Sequence, residues 1–177
     1  MREKAGKERR RGYTLLELLL VVVIIGIVVA ISVSAFRELS DKHRVESETT
    51  QMFADLMDAR ARAMQRSRLF FVRLLANGYE TYEDTNTAPD GNGSLETALD
   101  NAVVKTTLKH NVTPLLLGST VVDGAVTFWF NRNGMASIDN TGYIRIVSQY
   151  QPDYDCVAIG PTRVKKGQFR GGVCVEK

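Results

Sequence analysis

An uninterrupted apolar run near the N-terminus constrains this chain more than any other feature. Residues 18–31 read LLLVVVIIGIVVAI without a charge, and the weakly polar SVSAF extends the run to Phe36. At about 1.5 Å per residue, a helix over residues 13–36 is roughly 36 Å long, enough to cross a hydrocarbon core of about 30 Å. The sequence therefore predicts one membrane-spanning helix.

Positive charge is concentrated directly before that run. Residues 1–12 carry six basic and two acidic side chains, whereas the whole chain has a formal net charge of only +3. The remainder of the chain is therefore close to neutral. The basic residues before the apolar run indicate how this segment is oriented in the membrane. A basic flank holds its end of a membrane segment on the cytoplasmic side. We expect a single pass through the inner membrane with the C-terminal domain in the periplasm.

The residues around the run distinguish between two interpretations, a cleaved secretory signal peptide and a helix that stays in the mature protein. A basic flank followed by an apolar stretch and small residues is also typical of a signal peptide. However, Glu17 places a carboxylate where membrane burial is unfavourable, and the chain continues to Gln65 without Gly or Pro. Apolar residues recur there at helical spacing. This favours one long helix, membrane-spanning over residues 13–36 and amphipathic over residues 37–66.

The start of this helix resembles a known family. Gly12-Tyr13-Thr14-Leu15-Leu16-Glu17, after a short basic leader and before an apolar run, is similar to the processing motif of type IV pilins and type II secretion pseudopilins. The resemblance implies that a prepilin peptidase removes residues 1–12 by cutting between Gly12 and Tyr13. It also implies methylation of the new amine of Tyr13. The family usually has Phe where this chain has Tyr13, so one aromatic residue replaces another.

Glu17 is the candidate assembly residue of this motif. A carboxylate within an apolar helix must be neutralised, hydrated or paired, and the nearest candidate partner is the amine created at Tyr13. The resemblance implies that Glu17 meets the N-terminal amine of a neighbouring subunit and sets the register between their helices. The alternative is a carboxylate that only snorkels to the interface near the helix end.

The remainder of the chain, residues 67–177, predicts an antiparallel β domain. RLFFVRLL and YETYE flank Asn77-Gly78, a strong hairpin signal, and residues 95–101 are predicted as a short helix. Phe128 and Phe130 alternate with Trp129, which indicates a strand with both phenylalanines in the core. Further short β-type runs are separated by Gly, Pro and Asn: AVVKTTLKH, VTPLLLG, AVTFWF, YIRIVS, CVAIG and GVCVEK.

Two motifs in this part carry a narrower resemblance. ARARAMQRSRLFFVRL at residues 59–74 and Phe130-x-x-x-Gly134 resemble the H-type minor pseudopilins and their pilus relatives, the GspH/FimT group. This resemblance implies an α+β fold with one long helix laid against an antiparallel sheet. It also implies a minor subunit in the tip complex of a secretion pseudopilus or a type IV pilus. The implied partners are other pilin subunits, prepilin peptidase, an inner-membrane assembly platform and membrane lipid.

Cys156 and Cys174 are the two cysteines of the chain. In an exported domain an even number favours pairing, so we predict a structural disulfide. The alternative is two buried thiols acting as small apolar residues. They form no Cys-x-x-Cys pattern and no histidine cluster accompanies them, so a zinc site is not expected.

The sequence contains no recognisable catalytic motif. His43 and His110 lie outside any HExxH pattern, and the chain has no GxSxG or phosphate-binding glycine loop. The turn-rich segment 84–94 holds four side chains with oxygen ligands: Asp84, Asn86, Asp90 and Asn92. Turn chemistry accounts for them, and their spacing does not match an EF-hand. We expect a structural protein without enzyme activity, cofactor or metal.

Two groups of basic residues admit a second interpretation. Four of them lie near the C-terminus among glycines, which predicts a flexible loop: Arg163, Lys165, Lys166 and Arg170. Such a loop can bind DNA phosphates, and the resemblance to pilus subunits that take up DNA gives a precedent; a solvated charged loop is the alternative. The second group is interpreted as solubilising an exposed stripe of the helix and of the strand that follows it: Arg60, Arg62, Arg66, Arg68 and Arg73.

Overall fold

One α-helix, α1 (Leu15–Arg66), opens the regular structure and is 52 residues long. The structure is a computed structural model that describes residues 13–86, 91–116 and 118–177. The predicted leader, including Gly12 of the cleavage site, lies outside the described residues, as does Asp90. The chain divides after Leu39 into two compact parts, called here the N-terminal unit and the globular unit (Ser40–Lys177).

The N-terminal unit contains the apolar part of α1. Every described side chain from Leu15 to Val33 is exposed within the chain itself. By length and composition, α1 is sufficient to cross a membrane. Its continuous hydrogen-bonded backbone suits a medium without water, because a helix satisfies its own N–H and C=O groups.

In the globular unit, α1 becomes amphipathic and contributes one face to the core. Its buried residues recur every three, four or seven positions, which places them along one stripe of the helix: Val45, Met52, Leu56, Ala59 and Ala63. The helix ends at Arg66, and Ser67 follows with a left-handed φ of 54°. A left-handed residue at this point turns the chain out of the helix and into the first strand.

Ten β-strands follow within the described residues, and they form two antiparallel sheets. The bounds are β1 (Phe70–Leu75), β2 (Gly78–Glu83), β3 (Asn101–Thr107), β4 (Val112–Leu115), β5 (Thr120–Val122), β6 (Ala125–Phe130), β7 (Gly142–Ile146), β8 (Cys156–Ile159), β9 (Val164–Arg170) and β10 (Val173–Glu176). The first sheet has the order β3-β2-β1-β6-β5, and the second has the order β10-β9-β8-β7-β4. The α+β class is confirmed, but the single sheet expected from the sequence is two sheets.

The two sheets share one hydrophobic core with α1. The first sheet contributes fully buried aromatic residues, including Phe70 and Phe128, and the second contributes buried isoleucines, including Ile144 and Ile159. Trp129 is turned to the opposite face of β6, where it packs edge-on against Phe71 with ring centres 6.2 Å apart. The predicted alternation in β6 is therefore confirmed.

The predicted hairpin is present, but its turn is shifted by one residue. Leu75 pairs with Gly78, so the turn residues are Ala76 and Asn77. A Cβ atom on Gly78 would lie 2.2 Å from the carbonyl oxygen of Thr106. Glycine is therefore required here by the close approach of β3, and not by the turn itself.

The short helix predicted over residues 95–101 is wrong. The N–H groups of Leu99 and Asp100 donate to the carbonyl of Glu96 at 2.9 and 2.8 Å, which makes one turn before β3 begins at Asn101. The carboxylate of Asp100 accepts the backbone N–H groups of Thr85 and Glu96 at 3.0 and 2.8 Å. These bonds tie the segment down as a loop in place of a helix.

Candidate functional site

The first turn of α1 is built by a cap that the sequence analysis missed. The N–H of Glu17 donates to Oγ1 of Thr14 at 3.2 Å, and the N–H of Leu18 donates to the carbonyl of Thr14 at 3.2 Å. Thr14 is therefore the N-cap, and Glu17 is the third helical residue. Thr-x-x-Glu is the spacing of a capping box, and a carboxylate in the first turn also interacts favourably with the helix dipole. Glu17 thus has a local role in starting the helix.

Tyr13 lies directly before the N-cap Thr14 and four residues before Glu17, at the exposed start of α1. The side chain of Tyr13 is 85% exposed, and its backbone nitrogen is the atom that cleavage after Gly12 would free. Since Gly12 lies outside the described residues, cleavage and methylation stay predictions. The pairing of Glu17 with a neighbouring amine also stays a prediction.

The surface that follows this turn is apolar on every side of the helix. Leu15, Ile24 and Ile31 are 85, 52 and 67% exposed, and the residues between them are exposed as well. Leaving such surface in water is unfavourable by about 25 cal/mol per Å². Burial must therefore come from lipid or from other protein helices, because the described part of this chain does not provide it.

Cys156 and Cys174 form a disulfide, the first of the two alternatives raised by the sequence. Their Cα atoms are 6.0 Å apart. Cys156 pairs with Gly167 of β9, and Cys174 pairs with Phe169 of the same strand. The bond therefore joins β8 to β10 across the intervening strand β9.

Gly167 makes room for this crossing. A Cβ atom at this position would lie 2.9 Å from Sγ of Cys174 and 2.4 Å from the carbonyl oxygen of Val175. Those separations are shorter than van der Waals contact, so a larger residue would displace β10. The sequence offered a glycine between two cysteines, but strand order was needed to assign its role.

The basic stretch near the C-terminus is an ordered strand, and the flexible loop predicted from the sequence is wrong. Lys165, Lys166 and Arg170 belong to β9, which pairs with β8 on one side and β10 on the other. Arg163 precedes the strand and donates to Glu176 at 3.1 Å, and Nζ of Lys165 lies 2.6 Å from the same carboxylate. The hydrogen bond from Lys165 lowers the pKa of Glu176.

Lys166 lies on the other face of β9 from Lys165 and the Glu176 carboxylate. Successive residues of a strand point to opposite faces, which separates Lys165 from Lys166. Nζ of Lys166 lies 3.2 Å from Oγ1 of Thr50 on α1 and 4.8 Å from the ring centre of Tyr154. These contacts disperse the positive charge, and binding of DNA by this segment stays a prediction.

The arginines near the end of α1 connect elements of the globular unit, which corrects the solubilising interpretation for several of them. Arg66 and Arg68 reach the buried carboxylate of Glu83 on β2, at 2.5 and 3.5 Å. Arg73 of β1 lies 3.2 Å from Glu80. The Glu83 pairs fasten the end of the helix to the first sheet, and the Arg73 pair joins β1 to β2 within that sheet.

The turn-rich segment after β2 uses its carboxylates to hold backbone. The two oxygens of Asp84 accept the N–H groups of Asn92 and Gly93 at 3.1 and 2.8 Å. A Cβ atom on Gly91, which has φ of 86°, would collide with the same carboxylate. Within the described ranges, no cluster of three or more His, Cys, Asp or Glu side chains is arranged to hold a metal ion.

Known proteins share both the motif and a longer stretch of this chain. Residues 7–33 match the family described as the prokaryotic N-terminal methylation motif. The chain is 36% identical over 97 residues to the type IV narrow pilus major component PilA5 of Thermus thermophilus, an alignment that covers 53% of this chain and 75% of that protein. No solved structure matches the chain. The capped apolar helix, the methylation motif and this relative together show that the chain belongs to the type IV pilin-like family of membrane-anchored structural proteins.

Proposed function

We propose that this chain is a minor subunit of a type IV pilus, anchored in the inner membrane with its globular unit in the periplasm before assembly. The observation that carries the proposal is the apolar surface from Leu15 to Val33, which is exposed throughout. Lipid covers this surface in the membrane, and the helices of other subunits cover it in the filament. The protein acts by packing and has no catalytic role.

Processing prepares the N-terminal end of the helix for its transfer from the membrane into the filament. In the proposed sequence of events, prepilin peptidase cuts between Gly12 and Tyr13, and the amine of Tyr13 is methylated. The basic leader is removed with the cut, so the positive charge left at this end is the amine itself. An inner-membrane assembly platform then moves the subunit into the filament.

Glu17 gives this assembly its register. A carboxylate in a hydrocarbon environment is unfavourable unless an opposite charge lies beside it, and the amine of an adjacent subunit supplies that charge. Helices in any other register leave both charges unpaired, so the pair acts mainly against wrong arrangements. The capping bonds at Thr14 keep the first turn helical and so hold the carboxylate in position.

Small residues on α1 support close packing between subunits. Gly26 and Ala30 are one turn apart on the same face of the helix, and nothing in the chain lies within 4 Å of a Cβ atom built on Gly26. Small residues at this spacing let helix backbones approach closely in membranes. A larger side chain at Gly26 is therefore expected to lower incorporation more than Ile27→Leu, which conserves volume on a different face.

Two observations bear on the kind of filament. The relative with 36% identity is named as a pilus component, which supports a pilus over a secretion pseudopilus. The resemblance of residues 59–74 to H-type subunits supports a minor position. Purified filaments test both, and we expect this subunit at far lower abundance than the main pilin. Equal abundance would make it a major subunit and leave the pilus assignment standing.

Intact-mass measurement of the protein from membranes tests the proposed processing. The expected mass is that of residues 13–177 with one methyl group, and cells without prepilin peptidase should retain the full chain. A mature N-terminus beyond the apolar run would identify a signal peptide and overturn the proposal. An uncut chain in peptidase-containing cells would identify a plain membrane anchor.

A further inference from the structure

His110 lies in a polar cluster that filament assembly through α1 does not use. It is in the segment between β3 and β4, and its side chain is 11% exposed. Its Nδ1 lies 2.8 Å from Oε2 of Glu48, and its Nε2 lies 3.0 Å from Oδ1 of Asp41. Both carboxylates belong to α1, about two turns apart on one face of the helix.

The same carboxylates also hold neighbouring segments of the globular unit. The N–H of Lys109 donates to Oε1 of Glu48 at 3.0 Å. The hydroxyl of Ser148, in the segment between β7 and β8, donates to Oδ2 of Asp41 at 3.0 Å. Two separate loops are therefore attached to α1 through one cluster, and His110 joins its two anchoring carboxylates.

This geometry requires a particular protonation state of the imidazole. A neutral imidazole has one N–H donor and one acceptor nitrogen, whereas an imidazolium has two donors. Each ring nitrogen of His110 faces a carboxylate oxygen, so only the imidazolium donates to both. A neutral ring would place a nitrogen lone pair against one carboxylate.

Because the cluster is largely buried, a neutral imidazole facing both carboxylates would be energetically unfavourable. The side chains of Glu48 and Asp41 are 11 and 18% exposed, so water screens their charges weakly. Arg44, on the same helix, is a further cation near Glu48, at 3.9 Å and mostly exposed. Lys109 adds positive charge near Asp41 from the β3–β4 segment, and Ser148 contributes only a neutral hydroxyl.

We propose that His110 is a protonation-dependent latch, which as imidazolium fastens the β3–β4 segment to α1 and on losing a proton releases it. The latch is a device within the globular unit and does not depend on whether the filament is a pilus or a pseudopilus. Release would loosen Lys109 and the adjoining segment while leaving the sheets paired.

The latch also has a lower pH limit, which is set by protonation of the Asp41 carboxylate. Burial raises the pKa of Asp41, but hydrogen bonds from His110 and Ser148 outweigh burial and leave the pKa below its ordinary value of 3.8. The contribution of Asp41 to stability is therefore present above that ordinary value and is lost only as the pH falls through the lowered one. Below that limit Asp41 is neutral, and the latch loses one of its two carboxylates.

Hydrogen exchange of the full chain in detergent micelles tests the latch. The readout is protection of the Lys109 amide, corrected for intrinsic base catalysis, with the β1 amides as internal reference. Between pH 6 and pH 9 we expect protection of Lys109 to fall by about tenfold or more, as for loss of a charged hydrogen bond, while β1 stays unchanged. His110→Asn should abolish this dependence, and His43→Asn should preserve it because the side chain of His43 is 69% exposed.

Two results would overturn the latch. One is a Lys109 amide whose protection does not change with pH in the native protein; the other is an equal change in His110→Asn. A second measurement needs no variant. Nitrogen NMR of the imidazole should show protons on both ring nitrogens of His110 at pH 6, and a single neutral tautomer at that pH would contradict the proposal even if the Asn variant fails to fold.

Discussion

The two units of this chain use the same kinds of apolar side chain in opposite ways. Leu15 and Ile24 of the N-terminal unit are 85 and 52% exposed, whereas Ile144 and Ile159 of the globular unit are fully buried. The two units differ in what covers these apolar side chains. Strands and helix of the same chain cover the isoleucines of the core, and only another molecule can cover those of the anchor.

This contrast separates assembly from folding. Substitutions in the N-terminal unit should alter incorporation into filaments and leave the stability of the globular unit unchanged, because the described anchor residues bury nothing within the chain. Substitutions in the core should do the reverse.

Glu17→Gln gives the sharpest test of the anchor. Glutamine can still serve as the third residue of a capping box, so the substitution removes charge while keeping the cap. We expect incorporation into filaments to fall by at least about tenfold, since a charge pair in a medium of low polarity is lost. The measurement is the amount of subunit in sheared filaments relative to membranes.

Thr14→Ala is the matched control, because it removes the hydroxyl of the cap and keeps the carboxylate. Its expected cost is about 1 kcal/mol at the helix end, so incorporation should fall much less than in Glu17→Gln. Equal losses in the two variants would show that capping explains the importance of Glu17. Thermal unfolding of the globular unit should match the native protein in both.

Phe128→Ala tests the core, where folding should respond and membrane insertion should not. Phe128 is fully buried in β6 and packs edge-on against Phe130 with ring centres 5.6 Å apart. Truncation should lower the free energy of unfolding by about 3–5 kcal/mol, measured by urea titration in micelles. Val121→Ala on the edge strand β5, where the side chain is 70% exposed, should change it by less than about 0.5 kcal/mol. A similar loss in both would contradict the core assignment.

The disulfide tests how far the second sheet depends on a covalent link. Replacing Cys156 and Cys174 together by Ala should lower the free energy of unfolding by about 2–4 kcal/mol, as for other loops of this size. Gly167→Ala keeps the bond but crowds Sγ of Cys174, and should cost about 1–3 kcal/mol. If the alanine at position 167 destabilises only when the disulfide is present, the crossing of β9 is the cause. Insertion of α1 into the membrane should be unaffected in either variant.

The long helix was the part that sequence could predict well, and α1 confirms it from Leu15 to Arg66. Its apolar half needed only a count of apolar residues, because a helix satisfies its own backbone and needs no long-range partner. The hairpin β1–β2 and the alternation of Phe128, Trp129 and Phe130 were also predicted, since each depends on neighbours in sequence. Even the missed capping box was a local signal, Thr14-x-x-Glu17.

The parts that sequence could not predict depend on residues far apart in the chain. The division into two sheets follows from which strands pair, and runs of similar composition do not reveal that. The glycines and charges of β9 predict a loop and mask a central strand, and Gly167 is explained by the close approach of β10, with the carbonyl of Val175 and Sγ of Cys174 lying over it. The cluster of Asp41, Glu48 and His110 joins residues up to 69 positions apart, so no local sequence motif could predict it.

The smallest predicted effect concerns an ionic network on the outer face of the first sheet. Burial raises the pKa of Glu80, but hydrogen bonds from Tyr82 and Arg73, with the nearby charge of Lys105, outweigh it and leave the pKa below its ordinary value of 4.5. A carboxylate whose pKa is lowered by folding stabilises the folded state above its unfolded pKa, and this contribution disappears as the pH falls through the folded value. Glu80→Gln should therefore lower the free energy of unfolding by about 1.5 kcal/mol at pH 7, the low end for a hydrogen bond to a charged group, and the difference from native should shrink below about pH 4. Urea titrations at several pH values measure it. A difference that persists in acid would mean that Glu80 stabilises the sheet by packing and not by charge, because protonation of the native carboxyl would then fail to reproduce the effect of the substitution.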